Sequence, residues 1–146
     1  MSPTNYEELA KRVPLFHGLS PEDVAKIVSK GMTMEVKRGD AVFYQGTVGS
    51  QMYVVLGGSV SLTDGKKNLA TLRAGDMFGE MALINNEPRS ATATAAEDGR
   101  LFVLSETIFQ KLMTKRVAIR ILLNIIATMS KRLRDMNAKL AQATGE

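Results

Sequence analysis

Between Phe78 and Ala93 the chain reads FGEMALINNEPRSATA, and the residue types in this run are parts for holding a sugar beside a phosphate. Gly79 permits close backbone approach and uncommon dihedrals. Glu80 can accept hydrogen bonds from hydroxyls. The apolar turn Met81-Ala82-Leu83-Ile84 presents amide N–H groups at a helix N-terminus, a favourable place for an anion. Pro88 ends that turn and stiffens the approach to Arg89. The Arg89 guanidinium is a planar fork that matches two phosphate oxygens, and Ser90 adds a hydroxyl beside it. A Gly-Glu pair alone is usually a turn, and one arginine alone is usually a solvated charge. Their order within a dozen residues is what carries information.

Other chemistries lack their residues. The chain has no cysteine and one histidine, His17, so disulfides, thiol catalysis and clustered metal ligands are not expected. His17 falls between helical segments and reads as structural or solvated. A single histidine also argues against a histidine-rich metal sandwich and against haem ligation. Neither GxxxxGK[ST] nor G-x-S-x-G occurs, and the serines have no plausible base. The expectation is a binding domain without a metal, not an enzyme.

These parts need a frame. A length of 146 residues with 45% apolar content suits one globular domain. No apolar run approaches a membrane span, and MSPTNYEELAKR lacks the apolar stretch of a secretory signal. A cytoplasmic protein with no membrane partner is expected. The first 31 residues read as helical: Ser20-Pro21-Glu22-Asp23 supplies an N-cap, a first-turn proline and first-turn acids, and Val24, Ile27 and Val28 form a stripe ending at Gly31. From Met32 the apolar period becomes two. Strands are expected at Met34–Val36, Val42–Tyr44, Met52–Leu56, Val60–Thr63, Leu69–Leu72, Ala91–Ala95 and Leu101–Leu104. Gly57-Gly58, Asp64-Gly65, Gly75-Asp76 and Asp98-Gly99 separate several of them, as in an antiparallel sandwich or barrel. Ser105 caps a further helix whose apolar face is Ile108, Phe109, Leu112 and Met113. A long helix is expected from about Val117 to about Ala141.

That helix carries Ile119, Leu122, Ile126, Met129, Leu133, Met136 and Leu140 at alternating three- and four-residue steps, the pattern of a dimer seam. Ile121 and Ile125 form a second, shorter apolar face. The net charge is +4, and seven basic residues against the single acid Asp135 lie between Lys115 and Leu140. The flanking Lys131, Arg132, Arg134 and Lys139 read as charges that repel across such a seam.

The run from Phe78 to Ala93 closely resembles the phosphate-binding cassette of the cyclic nucleotide-binding domain family. LFHGLSPEDVAKI (residues 15–27) is similar to the family's N-terminal helices. Gly39, Gly46, Gly58 and Gly75 fall where its turn glycines are expected. The resemblance covers almost the whole chain. It implies a mainly β fold with flanking helices: an antiparallel, jelly-roll-like β-roll over residues 32–104 with the cassette at 78–93, N-terminal helices over 1–31 and a C-terminal lid and dimerisation region over 105–146. It implies that Glu80 binds a ribose 2′-hydroxyl, that Arg89 binds the exocyclic phosphate oxygens, and that the amides of Gly79, Met81, Ala82 and Ser90 complete the cradle. Leu62, Leu69 and Ala70 would line the base, with Asn137 or Thr128 as its polar partner from the lid helix. The implied ligand is cAMP, or else cGMP, which Ser90 also allows. Gly49-Ser50-Gln51 departs from the family, where an acidic residue is common. In relatives that regulate transcription a helix-turn-helix domain follows the long helix. No DNA-binding domain is read in this chain, so the expected output is either a downstream effector protein or a missing part of a longer chain. The competing reading is a dimerisation or protein-interaction module of the same fold that binds no nucleotide.

Overall fold

The computed structural model describes residues 6–85, 87–112 and 115–143. Met113, expected on the apolar face of the helix after Ser105, lies outside them. Helices α1 (Tyr6–Arg12) and α2 (Pro21–Lys30) flank a 3-10 turn at Pro14–Phe16. Ser20 caps α2 as expected, its Oγ accepting from the Asp23 N–H at 3.1 Å. Eight strands follow: β1 (Met32–Val36), β2 (Ala41–Phe43), β3 (Gln51–Gly57), β4 (Ser59–Asp64), β5 (Lys67–Arg73), β6 (Met77–Phe78), β7 (Thr92–Ala95) and β8 (Gly99–Ser105). The four-residue helix α3 (Met81–Ile84) interrupts them. Helices α4 (Glu106–Leu112) and α5 (Lys115–Ala143) close the described chain. The Ser105 Oγ accepts from the Ile108 N–H at 3.1 Å and caps α4.

The strands pair antiparallel in two four-stranded sheets of order β1-β8-β3-β6 and β2-β7-β4-β5. This is the expected roll. Two strands explain why it has two cores. On β3, Tyr53 and Val55 face the second sheet, while Met52 and Val54 face the helices. On β8, Leu101 and Val103 face the sheet and Phe102 and Leu104 face the helices. Both faces are covered, so the run reads as continuous apolar sequence rather than as clean alternation. Strand β6 was not expected, because two residues are too short for a period. It pairs with β3 through Tyr53↔Phe78 and Val54↔Met77, which sets Gly79 and Glu80 at the end of a buried strand. The anticipated turn glycines 39, 46, 58 and 75 all take positive φ.

Helix α5 has 29 residues, about 43 Å at 1.5 Å per residue. Its first half is fixed. Val117, Ile121 and Ile125 are buried, and Arg116 pairs with Asp23 at 3.0 Å. The buried Asn124 amide donates to the carbonyls of Leu15 and His17, both at 2.8 Å. The outer face differs from the expected seam. Leu122 and Met129 turn inward against the core. Leu123 is exposed instead, with Ile119, Ile126, Leu133 and Leu140. The outer stripe is therefore Ile119, Leu123, Ile126, Ser130, Leu133, Asn137 and Leu140. The cause is the docking of the Ile121–Ile125 face, which fixes the rotation of the whole helix and carries Leu122 inward.

Candidate functional site

The cassette, strand β2, strand β4 and helix α5 enclose a cavity of about 390 Å³. Glu80, Arg89 and Ser90 line it, together with Gly79, Met81 and Ala82 from the cassette, Leu62 from β4, and Arg132 and Met136 from α5. The sequence-predicted cassette residues are thus brought together. Leu62 joins them, whereas Leu69 is exposed. Ala70 pairs with Leu62 across β4 and β5. Asn137 is exposed. Thr128 lines a different cavity, of about 490 Å³, against Pro14, Leu72 and Asp76.

Arg89 is held from several sides. Its main chain is clamped by Gly46 N–H to Arg89 O at 2.8 Å and Arg89 N–H to Thr47 O at 2.7 Å. Its Nη1 donates to the Gly79 carbonyl at 3.2 Å and its Nη2 to the Gln51 carbonyl at 2.8 Å. Its Nε is buried with no acceptor among the described residues. A buried donor without a partner costs about 1–3 kcal/mol, more when charged, so an acceptor reaching Nε would relieve that cost. Burial pulls the guanidinium below its ordinary pKa, with Tyr53 and Glu80 acting in the opposite direction. A bound anion would favour the charged form further.

Gly79 is required by space as well as by conformation. Its φ is +74°, and a Cβ there would stand 2.7 Å from Arg89 Nη1. Glu80 follows it into α3 in helical conformation and does not cap the helix with its side chain. The carboxylate instead pairs with Arg132 Nη1 at 3.0 Å, and Arg132 Nη2 donates to the Met77 carbonyl. The Ala82 amide is engaged within the turn, donating to the Gly79 carbonyl at 3.1 Å.

Arg132 is the site residue that sequence reasoning missed. Its charge is not a repelling one on the seam, because it is half-buried against Glu80. A signal for it existed: the inward face Ile121-Ile125 continues by steps of three and four to Thr128 and Arg132. The sequence pattern assigns Phe43 to a strand and no role, yet it lines the cavity and lies under Arg89. Among the described residues no group of His, Cys, Asp and Glu is arranged to hold a metal, and no helix is long and apolar enough to cross a membrane.

The described geometry matches known proteins. The family model of the cyclic nucleotide-binding domain matches residues 33–116. The chain is 36% identical over 135 residues to the cyclic AMP receptor protein of Thermus thermophilus, covering 89% of this chain and 62% of that protein. It is 39% identical over 117 residues to a cAMP-dependent protein kinase regulatory subunit of Mycosarcoma maydis, covering 74% of this chain and 22% of the subunit. The chain therefore spans less than two thirds of either relative. The crystal structure of the Thermus thermophilus catabolite activator protein superposes with a TM-score of 0.76 at 35% identity, over 90% of this chain and 63% of that one. A cyclic nucleotide-binding domain from Methylobacillus flagellatus shares the fold with a TM-score of 0.83 at 23% identity, over 94% and 83% of the two chains. With more than half of its length matched by the family model and the cassette residues gathered at one cavity, this chain belongs to the cyclic nucleotide-binding domain family.

Proposed function

We propose that the domain is a cAMP sensor that couples nucleotide binding to the position of α5. The observation that carries the reading is the joint presence at one cavity of the Arg89 fork, with its unpartnered Nε, and the Glu80 carboxylate. A cyclic phosphodiester carries one negative charge, which one arginine can balance without a metal. In this reading Arg89 and Ser90 bind the exocyclic oxygens, with the amides of Gly79 and Met81 beside them. Glu80 takes the ribose 2′-hydroxyl through the carboxylate oxygen that Arg132 does not hold. Leu62 and Met136 flank the base. Relatives whose names specify cyclic AMP support the choice of cAMP over cGMP.

Glu80 also gives the route to an output. It touches both the ligand position and Arg132, and Arg132 stands on the half of α5 that lies beyond the buried Ile125. A ligand shifts the helix only so far as it binds one arrangement better than another. The outer stripe of α5 makes a homodimer the natural assembly, with an effector protein or further domain reading the helix position. The organised Arg89 argues against the competing reading of a module that binds no nucleotide.

Calorimetric titration with cAMP, 2′-deoxy-cAMP and cGMP tests the assignment. cAMP is expected to bind best, and the 2′-deoxy analogue at least tenfold more weakly, since a buried acceptor would lose its donor. Equal affinity for cAMP and its 2′-deoxy analogue removes the Glu80 role. A clear preference for cGMP reverses the base choice.

A further inference from the structure

The hydrogen bonds that hold the Arg89 guanidinium all end on backbone carbonyls, those of Gly79 and Gln51. The segment that wraps it, Gly49-Ser50-Gln51, presents a carbonyl and no carboxylate. Gly49 is pressed so close that a Cβ would stand 2.7 Å from Nη2. Beneath the cation lie rings. The guanidinium carbon sits 4.2 Å from the Phe43 centroid and 6.0 Å from that of Tyr53. Phe43 is braced in turn by Tyr53 at 5.8 Å and Phe78 at 5.9 Å, and those two stack at 5.1 Å. Tyr53 donates its hydroxyl hydrogen bond to Gln51 Oε1 at 3.1 Å, so the residue that braces Phe43 also steadies the residue whose carbonyl holds Nη2.

We propose that Phe43 is a positioning residue for the anion-binding arginine, carrying the guanidinium on its ring face instead of a carboxylate pairing with its N–H groups. The proposal rests on the reading of Arg89 as the phosphate ligand. A carboxylate partner would occupy guanidinium N–H groups, the same donors that a phosphate needs. A ring attracts the cation through its electron-rich face and uses no N–H at all. The N–H groups that the two carbonyls do not take, Nε among them, stay uncommitted. An aliphatic side chain of similar size would exclude water equally well but would offer no such attraction.

The test is a double-mutant cycle read by displacement of a fluorescent cyclic nucleotide with cAMP. Phe43→Leu is expected to weaken cAMP binding about fivefold to tenfold, and Phe43→Tyr, which keeps the ring, less than about twofold. In an Arg89→Gln background the Phe43→Leu change is expected to cost less than about twofold, because no cation remains to hold. Equal losses in both backgrounds assign Phe43 to packing alone and overturn the proposal, as does no loss in either. A second measurement needs neither ligand nor a folded Phe43 variant: the Arg89 Nε–H resonance of the wild type, identified by its loss in Arg89→Gln, should be displaced upfield by the ring. A resonance at the position of solvated arginines overturns the proposal even where cAMP binds normally. A wild type that binds no cyclic nucleotide overturns the underlying reading and the proposal with it, whatever the resonance shows.

Discussion

Glu80 Oε1 and Arg132 Nη1 meet at 3.0 Å although 52 residues separate them in the chain. One stands at the start of α3 in the cassette and the other on α5, so the pair joins the cassette cavity to α5 directly. The second guanidinium nitrogen rests on the Met77 carbonyl, which fixes Arg132 against β6 as well. Arg132→Ala should cut the link while leaving the cassette intact. The expected outcome is that cAMP still binds but its slowing of amide hydrogen exchange across residues 128–143 falls by a factor on the order of five. Exchange mass spectrometry with and without cAMP checks this. A ligand effect on α5 as large in Arg132→Ala as in the wild type would mean that the signal takes another route.

In the proposed reading Arg89 is the stronger determinant of affinity. It is one charged partner of a pair that binding would bury, and removing such a partner costs roughly 2–5 kcal/mol. Arg89→Ala is expected to weaken cAMP binding on the order of 30-fold or more. Arg89→Lys should recover only part of this, since a point charge cannot span the Gly79 and Gln51 carbonyls and a phosphate together. Near-normal affinity of Arg89→Ala in the same titration would withdraw the arginine from the site.

Much of this was legible in the sequence, and the parts that were not share a cause. The cassette could be read because Gly79, Glu80, Arg89 and Ser90 lie within a dozen residues and owe their chemistry to type and order. The sandwich could be read from its turns, such as Asp64-Gly65, and the caps at Ser20 and Ser105 from local rules. Residues that act across the fold could not. Phe43 reaches Arg89 only because β2 pairs with β7, and no local pattern encodes that pairing. The helix rotation was ambiguous for a different reason. Leu122 and Leu123 are both leucine, so a heptad can be drawn through either, and only the docking of Ile121 and Ile125 decides between them. That decision turned Arg132 from a repelling seam charge into a ligand of Glu80.

The α2–α5 junction gives the fold a dependence on acidity. Burial alone would raise the Asp23 carboxyl, but the hydrogen bond and charge of Arg116, with the Ser20 hydroxyl and amide, outweigh it and hold the group below the ordinary carboxylate range. A depressed folded-state pKa stabilises the fold above the unfolded value of about 3.9 and loses that contribution as pH falls through the folded value. Asp23→Asn is therefore expected to lower thermal stability at pH 7, by a few tenths to about 1 kcal/mol because Arg116 is largely solvated. The difference between variant and wild type should shrink as pH falls below the unfolded value and vanish once pH lies below the folded value. Melting curves across this range check it. A constant gap at every pH would assign the effect to lost packing rather than to charge.

The outer face of α5 leads to the last prediction. Ile119, Leu123, Ile126, Leu133 and Leu140 are each about half exposed or more, and they lie on one stripe some 30 Å long at 1.5 Å per residue. An exposed, largely apolar stripe of this kind marks an interface. Ser130 and Asn137 complete its spacing, and a polar side chain within a seam penalises pairings that leave it unmatched. Two α5 helices aligned in parallel would set Asn137 against Asn137, which favours a symmetric dimer over a shifted one. Arg132 is engaged with Glu80, so Lys131, Arg134 and Lys139 are left as the charges to be screened, Arg134 with one N–H on Ser130 Oγ at 2.9 Å. Leu133→Asp with Leu140→Asp is expected to give a folded monomer, because neither side chain touches the cores of the roll. Met136 is a poor choice for this test, since it lines the same cavity as Glu80 and Arg89. Sedimentation of the wild type should show a dimer, and sedimentation of the double variant a monomer that still binds cAMP through Arg89. A wild type that sediments as a monomer with and without nucleotide would leave the stripe for some other partner and would end the dimer assignment.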